Sequence, residues 1–240
     1  LDLYLGLRPI KLLHADLTPL KGYDAGAIDF LLIRENTEGL FWSRKNPRPD
    51  QVAEVEDVMH ISRFRSERLF HRAFAEARKR RRKVTLVDKA NVLPSMAFFR
   101  RIFDEVAGQY PDIETERVYV DAMAMYLLTR PDRYDVIVTE NMFGDILSDQ
   151  AAGLIGGLGY APSADLGDRY AVFQPSHGTA PDIAGRGLAN PAAMILSAAM
   201  MLEWLGESEA ARRIEHAVAQ AAGLPLTGTA AISNAIIASL

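Results

Sequence analysis

The sequence predicts an α/β protein in which helices pack on a substantial sheet. Short apolar segments rich in β-branched residues alternate along the chain with longer segments of helical periodicity. Of the 240 residues, 49% are hydrophobic and 24% are charged, which is the balance of a globular protein with a buried core. Strands and helices in this order are typical of helices that cover the faces of a sheet.

The predicted elements follow one another at short intervals. Strands, recognised by runs of Val, Ile and Leu, are expected at 27–33, 84–88, 116–120 and 135–139. Helices, recognised by apolar residues three and four positions apart, are expected at 61–80, 95–109, 144–155, 192–205 and 207–222. The pair Asn190-Pro191 interrupts the chain just before the fourth of these helices.

Composition and charge argue against several classes of function. The formal net charge is −4, which gives no bulk attraction for nucleic acid or for an anionic membrane surface. No run approaches the roughly 18 apolar residues of a membrane span, and the first residues lack a signal-peptide pattern. The chain has no cysteine, which excludes disulfides, thiolate metal sites and a cysteine nucleophile. We therefore expect a cytoplasmic protein whose partners include neither nucleic acid nor membrane.

Six consecutive cations, RKRRRK, occupy residues 78–83. Such a run can be a nucleic-acid or targeting patch. It also closes the first predicted helix, and cations stabilise the C-terminal end of a helix. The second interpretation is favoured because the predicted strand at 84–88 follows directly.

The segment 139–150, TENMFGDILSDQ, places Asp145 and Asp149 four residues apart at the start of a predicted helix. Side chains at this spacing share one helical face, so both carboxylates can bind one cation. Oxygen ligands without a neighbouring Cys or His suit a hard ion such as Mg²⁺ or Mn²⁺. Acidic residues in a first turn also complement the helix dipole, so the motif alone leaves a purely structural role open.

A second segment, 177–191, reads HGTAPDIAGRGLANP and is too rich in Gly, Ala and Pro for a regular element. Such a loop allows backbone amides to approach a phosphate or a flat ligand closely. Asp182 and Asn190 are polar side chains in it that could bind sugar hydroxyls and a base edge. Structural loops share this composition, so the segment by itself is a weak signal.

Taken together, the two segments closely resemble the decarboxylating dehydrogenases of the isocitrate and isopropylmalate family. Four more segments carry the resemblance: LRP at 7–9, IRENTEG at 33–39, DKANVL at 88–93 and ILSAAMML at 195–202. The similarity extends from residue 1 to about residue 206. It implies an isopropylmalate-dehydrogenase-like fold, with a large mixed sheet flanked by helices and two interleaved subdomains.

The resemblance also implies a domain organisation. Residues 1–240 are interpreted as a single family domain that lacks the family's N-terminal strand and glycine-rich turn. Roughly, 20–160 is expected to form the central part for dimerisation and metal binding, and 161–240 the part that carries the dinucleotide loop.

The family oxidises the hydroxyl group of a 3-substituted (2R)-malate with a nicotinamide dinucleotide, and the resulting β-keto acid loses CO₂. By resemblance, Asp121 is the third carboxylate of the Mg²⁺ or Mn²⁺ site, beside Asp145 and Asp149, and comes from the partner subunit. Lys89, also from the partner, matches the lysine that acts as general base. The resemblance therefore implies a homodimer with shared active sites.

Substrate-binding residues follow in the same way. Arg8 and Arg34 match two family arginines that bind the carboxylates of the acid substrate. A planar guanidinium pairs with a carboxylate through two parallel hydrogen bonds, which lysine cannot imitate. The substrate is thus expected to be a small hydroxy-dicarboxylic acid.

The cofactor is expected on the loop at 177–191. The resemblance assigns cofactor contacts to Asn91, near the nicotinamide, and to His177, Gly178, Ala180, Asp182 and Asn190. A carboxylate at Asp182 accepts hydrogen bonds from ribose hydroxyls and repels a 2′-phosphate, so NAD is expected. The glycine cluster GLIGGLG at 153–159 has the wrong spacing for a dinucleotide fingerprint and is interpreted as a packing turn.

One position departs from the family pattern. Phe41 falls where the family ordinarily has a tyrosine whose phenol donates the proton that completes the enol step. Phenylalanine has no such proton, so a second hypothesis is a non-catalytic or regulatory subunit of the same fold. A third is an enzyme whose substrate needs no phenolic acid, such as a preformed keto acid. The acid stays open among the isopropylmalate, homoisocitrate, isocitrate, malate and tartrate classes, although RENTEG resembles the last four more closely.

Overall fold

The computed structural model describes residues 1–48, 50 and 52–240. In this part of the chain one mixed sheet contains the strands β1 (Leu5–Lys11), β2 (Asp29–Glu35), β3 (Lys83–Asp88), β4 (Glu114–Tyr119), β5 (Val136–Thr139), β6 (Pro162–Leu166) and β7 (Ala171–Pro175). They lie side by side in the order β4-β3-β5-β2-β1-β6-β7. Strands β2 to β5 are parallel, whereas β1, β6 and β7 join by antiparallel pairing. The expected mixed sheet is confirmed.

Helices cover this sheet. They are α1 (Arg63–Arg78), α2 (Pro94–Ala107), α3 (Val120–Thr129), α4 (Asn141–Gly153), α5 (Ala192–Trp204), α6 (Ser208–Ala222) and α7 (Thr229–Ala238). Helices α1 and α2 pack on one face of the parallel strands, and α3 and α4 pack on the other. Helices α5 to α7 form a third apolar cluster next to β6 and β7. None of the helices in the described residues is long and apolar enough to cross a bilayer.

Alternation along β2 explains the two helical layers. Leu31 and Ile33 belong to the cluster formed with α1 and α2, whereas Phe30 and Leu32 belong to the cluster formed with α3 and α4. Because both faces of this strand are buried, its sequence is a continuous apolar run rather than an alternating one. The same reason makes the parallel strands the easiest elements to predict.

Five elements lie outside the predicted set: β1, β6, β7, α3 and α7. Strand β1 (LGLRPIK) contains Gly and Pro, and β6 (PSADL) is short and partly polar, so neither shows an apolar run. Both are strands because they pair with neighbours in the sheet. Helix α3 begins at Val120, directly after β4 ends at Tyr119. The predicted strand at 116–120 therefore extends one residue too far at its C-terminal end.

The four parallel strands all end at the same edge of the sheet. Lys89 follows β3, Asp121 lies in the first turn of α3 after β4, and α4 begins at Asn141 after β5. The carboxyl edge of the strands is where open α/β sheets bind ligands. The topology therefore brings the chemically suggestive motifs to one edge.

The cations at 78–83 have acidic neighbours. Several pair with carboxylates on nearby strands and loops: Arg78 with Asp112, Arg80 with Asp29 and Asp135, and Lys83 with Glu114 and Glu116. Helix α1 ends at Arg78 and β3 begins at Lys83, so the run joins a helix to a strand, as the favoured interpretation predicts.

Candidate active site

Arg8 lies on β1 and is almost fully buried. Its Nη1 and Nη2 both donate to Oδ1 of Asp165 at 3.1 Å, and Nη1 also donates to the carbonyl oxygens of Leu7 and Ala164. The same Asp165 oxygen accepts a hydrogen bond from Asn36 Nδ2 at 2.9 Å. The charge of this predicted substrate arginine is therefore already matched by Asp165, a residue that no motif singles out.

Arg34 lies on β2 and points toward the first turn of α4. Its Nε and Nη2 donate to Oδ1 of Asn141 at 2.9 and 2.7 Å, and its Nη1 forms an ion pair with Asp145. Asn141 donates through Nδ2 to the carbonyl oxygen of Glu38 at 3.1 Å, so the amide is held on both sides. Burial lowers the pKa of Arg34, while Asp145 acts in the opposite direction. The guanidinium group of Arg34 is thus oriented by Asn141 and Asp145.

Gly144 of α4 packs directly on Arg34. A Cβ atom at Gly144 would lie 2.8 Å from Cγ and 2.9 Å from Cβ of Arg34. These two atoms are close to the Arg34 backbone and cannot swing aside as the end of a long side chain can. The missing side chain of Gly144 therefore lets α4 approach β2 closely enough for Asp145 to reach Arg34.

Gly144→Ala is expected to lower kcat/KM for the acid substrate about 10- to 100-fold, because Arg34 is displaced from its fixed position. Alanine favours a helix interior by about 1 kcal/mol over glycine, so helix propensity cannot cause the loss. Steady-state kinetics is the measurement, with Gly153→Ala in the same helix as the control, because a Cβ atom there meets nothing within 4 Å. Equal kinetics for the two variants would contradict the role of Gly144.

Asp145 and Asp149 lie one helical turn apart in α4, as their spacing predicts. The side chain of Asp145 is half exposed. Burial, and then the negative charge of Asp145, raise the pKa of Asp149, so the two carboxylates interact. A cation bound between them would relieve that repulsion, and carboxylate oxygens suit a hard divalent ion. The residues present therefore fit Mg²⁺ or Mn²⁺.

Lys89 and Asp121 form a separate pair at the same edge of the sheet. Nζ of Lys89 lies 2.5 Å from Oδ1 of Asp121, and this hydrogen bond lowers the pKa of Asp121. The turn that carries Lys89 is anchored by buried Asp88, which accepts from the Ala90 amide at 2.9 Å and from Arg100 Nε at 2.7 Å. These contacts hold the backbone of Lys89 in a rigid turn.

The third predicted metal ligand stands apart from the other two. Within the described part of one chain, no three His, Asp or Glu side chains form a group that could hold a metal ion. Asp121 is therefore not grouped with Asp145 and Asp149 in a single subunit. A site built from all three needs a second chain.

Glu140 caps α4 from a buried position. Its Oε1 accepts a hydrogen bond from the Phe143 amide at 2.6 Å. Its Oε2 is buried without a hydrogen-bond partner in the described residues. Burial raises the pKa of Glu140, because the ionised carboxylate loses its hydration there. This cap fixes the N-terminal turn that carries Asn141.

Glu140→Gln is expected to stabilise the protein at neutral pH. Because the folded state holds the Glu140 proton more tightly than the unfolded chain, wild-type stability falls as pH rises above 4.5 through the raised pKa. Glutamine cannot ionise and keeps an oxygen for Phe143, so the gain at pH 8 should be on the order of 1 kcal/mol and should vanish below pH 4.5. Denaturant unfolding at several pH values measures it, with exposed Glu203→Gln as the control. A pH-independent difference would show that ionisation is not the cause.

A cavity of about 340 Å³ lies between the two arginines. Its wall contains Arg8, Arg34 and Phe41, and the centre of the Phe41 ring lies 5.1 Å from Cζ of Arg34. The other residues of the wall have no predicted role: Leu3, Asn36, Arg44, Asn141, Asp165 and Gln174. Asn36 and Asn141 lie in quoted motifs, whereas the other four lie outside every quoted motif and are brought to the cavity by the fold.

A second cavity, of about 650 Å³, lies at the loop 177–191. Four of the predicted cofactor residues line it: His177, Gly178, Ala180 and Asn190. Leu158 and Gly159 from the glycine cluster also line it, as does Thr229 at the start of α7. The interpretation of the glycine cluster as a packing turn is thus incomplete, because part of it forms a wall of this cavity.

Two predicted cofactor residues are not part of that wall. Asp182 is exposed on the 3₁₀ turn Pro181–Ile183. Asn91 is exposed on the turn after β3, two residues from Lys89. The structure therefore places four of the five loop residues of the predicted cofactor set around one cavity, with Asp182 outside its wall and Asn91 near Lys89.

Comparison with known proteins shows which family this chain belongs to. The family model of the isocitrate/isopropylmalate dehydrogenases matches residues 1–226. The chain is 46% identical over 237 residues to the 3-isopropylmalate/3-methylmalate dehydrogenase of Methanocaldococcus jannaschii, across 94% of this chain and 71% of that protein. It is 50% identical over 220 residues to the isocitrate/homoisocitrate dehydrogenase of Thermus thermophilus, across 91% of this chain and 63% of that protein.

A solved structure shows the same architecture. The isocitrate dehydrogenase from Methylococcus capsulatus matches with a TM-score of 0.90 and 43% identity, across 99% of this chain and 73% of that one. The chain thus spans roughly two thirds of the length of these relatives, 71% and 63% for the two above. A family model that covers nearly the whole chain and relatives close to half identical place this protein in the isocitrate/isopropylmalate dehydrogenase family.

Proposed function

We propose that the full-length protein catalyses the NAD-dependent oxidative decarboxylation of a 3-substituted (2R)-malate-type acid with Mg²⁺ or Mn²⁺. The meeting of Arg8 and Arg34 in one cavity carries the proposal. Two guanidinium groups suit a dicarboxylic acid, and Asp145 touches Arg34, so acid binding and cation binding adjoin. Relatives named for isopropylmalate, methylmalate, isocitrate and homoisocitrate support this class of substrate.

Asp145 and Asp149 would hold the divalent ion from one chain, and Asp121 would hold it from the partner chain. When bound, the ion supplies Lewis-acid polarisation of the substrate oxygens. Arg34 pairs with Asp145 in the absence of substrate. A substrate carboxylate would take over this guanidinium, which would free Asp145 for the cation.

Lys89 would take the proton of the substrate hydroxyl in the partner's site. Asp121 holds its Nζ at 2.5 Å, which keeps the lysine at the edge of the sheet until the two subunits meet. Exposed apolar side chains on the helices beside these groups support a homodimer, since a second copy would remove them from water: Met125 and Leu128 on α3, and Ile146 on α4. In this proposal a monomer is inactive.

The cavity at the loop 177–191 would bind the dinucleotide. Asp182 would accept hydrogen bonds from the adenosine ribose, which favours NAD over NADP. Residues 161–240 would then be the cofactor part and 20–160 the part for dimerisation and metal binding, in a cytoplasmic enzyme.

A second candidate function is a non-catalytic or regulatory subunit. Its support is Phe41, which lines the acid cavity and packs on Arg34 without offering a proton. The presence of both arginines with Asp145 and Asp149 favours the enzyme. A subunit that only completes its partner's site would need Lys89 and Asp121 but none of these four residues.

The test follows NADH absorbance with purified full-length protein and Mn²⁺. The panel contains isocitrate, homoisocitrate, 3-isopropylmalate, D-malate and tartrate, each with an NADP⁺ control and a chelator control. Turnover of at least one acid with NAD⁺, abolished by the chelator, is the expected result. A folded dimer that binds Mn²⁺ and turns over none of them would favour the regulatory subunit.

A further inference from the structure

Arg44 is a third arginine in the wall of the acid cavity. It shares that wall with Arg8 and Arg34, yet no family motif contains it. A dicarboxylate needs two guanidinium groups, so the third one calls for its own explanation.

The three arginines differ in what they already bind. Arg8 donates to Asp165 at 3.1 Å, and Arg34 forms an ion pair with Asp145. Within the described residues, Arg44 has no carboxylate at ion-pair distance and makes no side-chain hydrogen bond, and it is exposed. Arg44 also lines the adjoining cavity, whose wall contains Glu56 and Asp57, but neither carboxylate lies within ion-pair distance of its guanidinium group. Of the three arginines in the acid cavity, Arg44 is therefore the one without an ion pair in the described residues.

The backbone fixes which way Arg44 faces. It lies on the 3₁₀ turn Leu40–Lys45, three residues after Phe41. Side chains three residues apart are eclipsed in a 3₁₀ helix, so Phe41 and Arg44 stand on the same side of the turn. Both line the cavity, and the Phe41 ring covers the Arg34 guanidinium. The wall thus runs from Arg34 past an apolar ring to a free cation.

This order matches a particular shape of substrate. Two carboxylates of a malate-type acid would bind near Arg8 and Arg34, and the substituent on C3 would extend along Phe41. We infer that Arg44 binds a carboxylate at the end of that substituent, so that the protein prefers tricarboxylic 2-hydroxy acids to alkyl-substituted ones. An alkyl group at this place would remove water from a guanidinium without replacing its hydrogen bonds, which opposes binding. The inference rests on the proposed function and adds the substrate class to it.

The experiment compares kcat/KM for isocitrate and homoisocitrate with that for 3-isopropylmalate, in full-length wild type and in Arg44→Met. Wild type is expected to favour the tricarboxylates. The variant should lower the ratio of tricarboxylate to alkyl kcat/KM about 10- to 100-fold, mainly through KM, since a charge-assisted hydrogen bond is lost. Arg48→Met is the matched control, because Arg48 lines the neighbouring cavity but not this one. It should leave the ratio unchanged.

A wild-type preference for 3-isopropylmalate, or an equal loss for both kinds of acid in Arg44→Met, would overturn the inference. Calorimetric binding of the same acids to the Mn²⁺-loaded protein separates this failure from failure of the proposed function. If no acid is turned over but Arg44→Met raises the Kd of the tricarboxylates alone, Arg44 still binds tricarboxylates and only the catalytic proposal is overturned. Absent turnover with no dependence of Kd on Arg44 would overturn both.

Discussion

Mixing two inactive variants, Lys89→Met and Asp145→Asn, is expected to restore activity. Each variant alone should lose about 10³-fold or more in kcat, one through the base and the other through the cation site. In a hybrid dimer one active site takes Lys89 from one chain and Asp145 from the other, and both are intact. Because random exchange gives half hybrids with one working site each, about a quarter of wild-type activity should return. The assay is NADH formation after subunit exchange.

The structure motivates this test because it keeps the two groups of residues apart. Lys89 pairs with Asp121, whereas Asp145 pairs with Arg34, and no single-chain metal group forms in the described residues. The control mixes Lys89→Met with Asp121→Asn. Lys89 and Asp121 would both reach into the partner's site. In the hybrid, one site therefore lacks Lys89 and the other lacks Asp121, so activity should stay lost. Recovery of activity in the control mixture would refute shared sites. So would the lack of recovery in the first mixture when mass spectrometry detects hybrid dimers.

Gly39→Ala is expected to destabilise the fold by about 3 to 5 kcal/mol, from backbone strain and from overpacking. Gly39 has φ of 76° and ψ of −150°, a combination that is essentially restricted to glycine and that alanine adopts only with strain. A Cβ atom there would also lie 2.2 Å from Oε2 of Glu140 and 3.1 Å from Cβ of Asn141. The turn after β2 would have to move away from α4, and with it the segment that carries Phe41 and Arg44. Denaturant unfolding measures the loss.

Gly26→Ala separates the two contributions. Gly26 has φ of 79°, but a Cβ atom there meets nothing within 4 Å, so only the strain of about 1 to 2 kcal/mol is expected. In a Glu140→Ala background, Gly39→Ala should cost less than in the wild type, because the clashing oxygen is gone and only the contacts with Asn141 and the backbone strain remain. Equal costs for Gly39→Ala and Gly26→Ala in the wild-type background would show that the contact with Glu140 is not tight.

Local sequence is enough to predict the parallel strands and to place the two helical carboxylates on one face. The middle residues of β2, β3 and β5 are buried on both faces, so these strands show short runs of largely apolar residues that are visible in the local sequence. The four-residue spacing puts Asp145 and Asp149 on one helical face by geometry alone. Strands β1 and β6 lack such a signal, because pairing with neighbours, rather than their own composition, makes them strands.

The chemical neighbourhood of the site depends on tertiary structure. The sequence by itself determined which residue types are present, and it predicted their roles: two arginines for carboxylates, three aspartates for a cation, a lysine as base, and a loop for a dinucleotide. Only the tertiary structure decided that Arg8 is held by Asp165, that Asn141 orients Arg34, that Lys89 pairs with Asp121 away from Asp145, and that Arg44 joins the acid cavity. The reason is physical: the type of each side chain is read directly from the sequence, whereas its partners lie on elements up to 157 positions away that meet only when the chain folds.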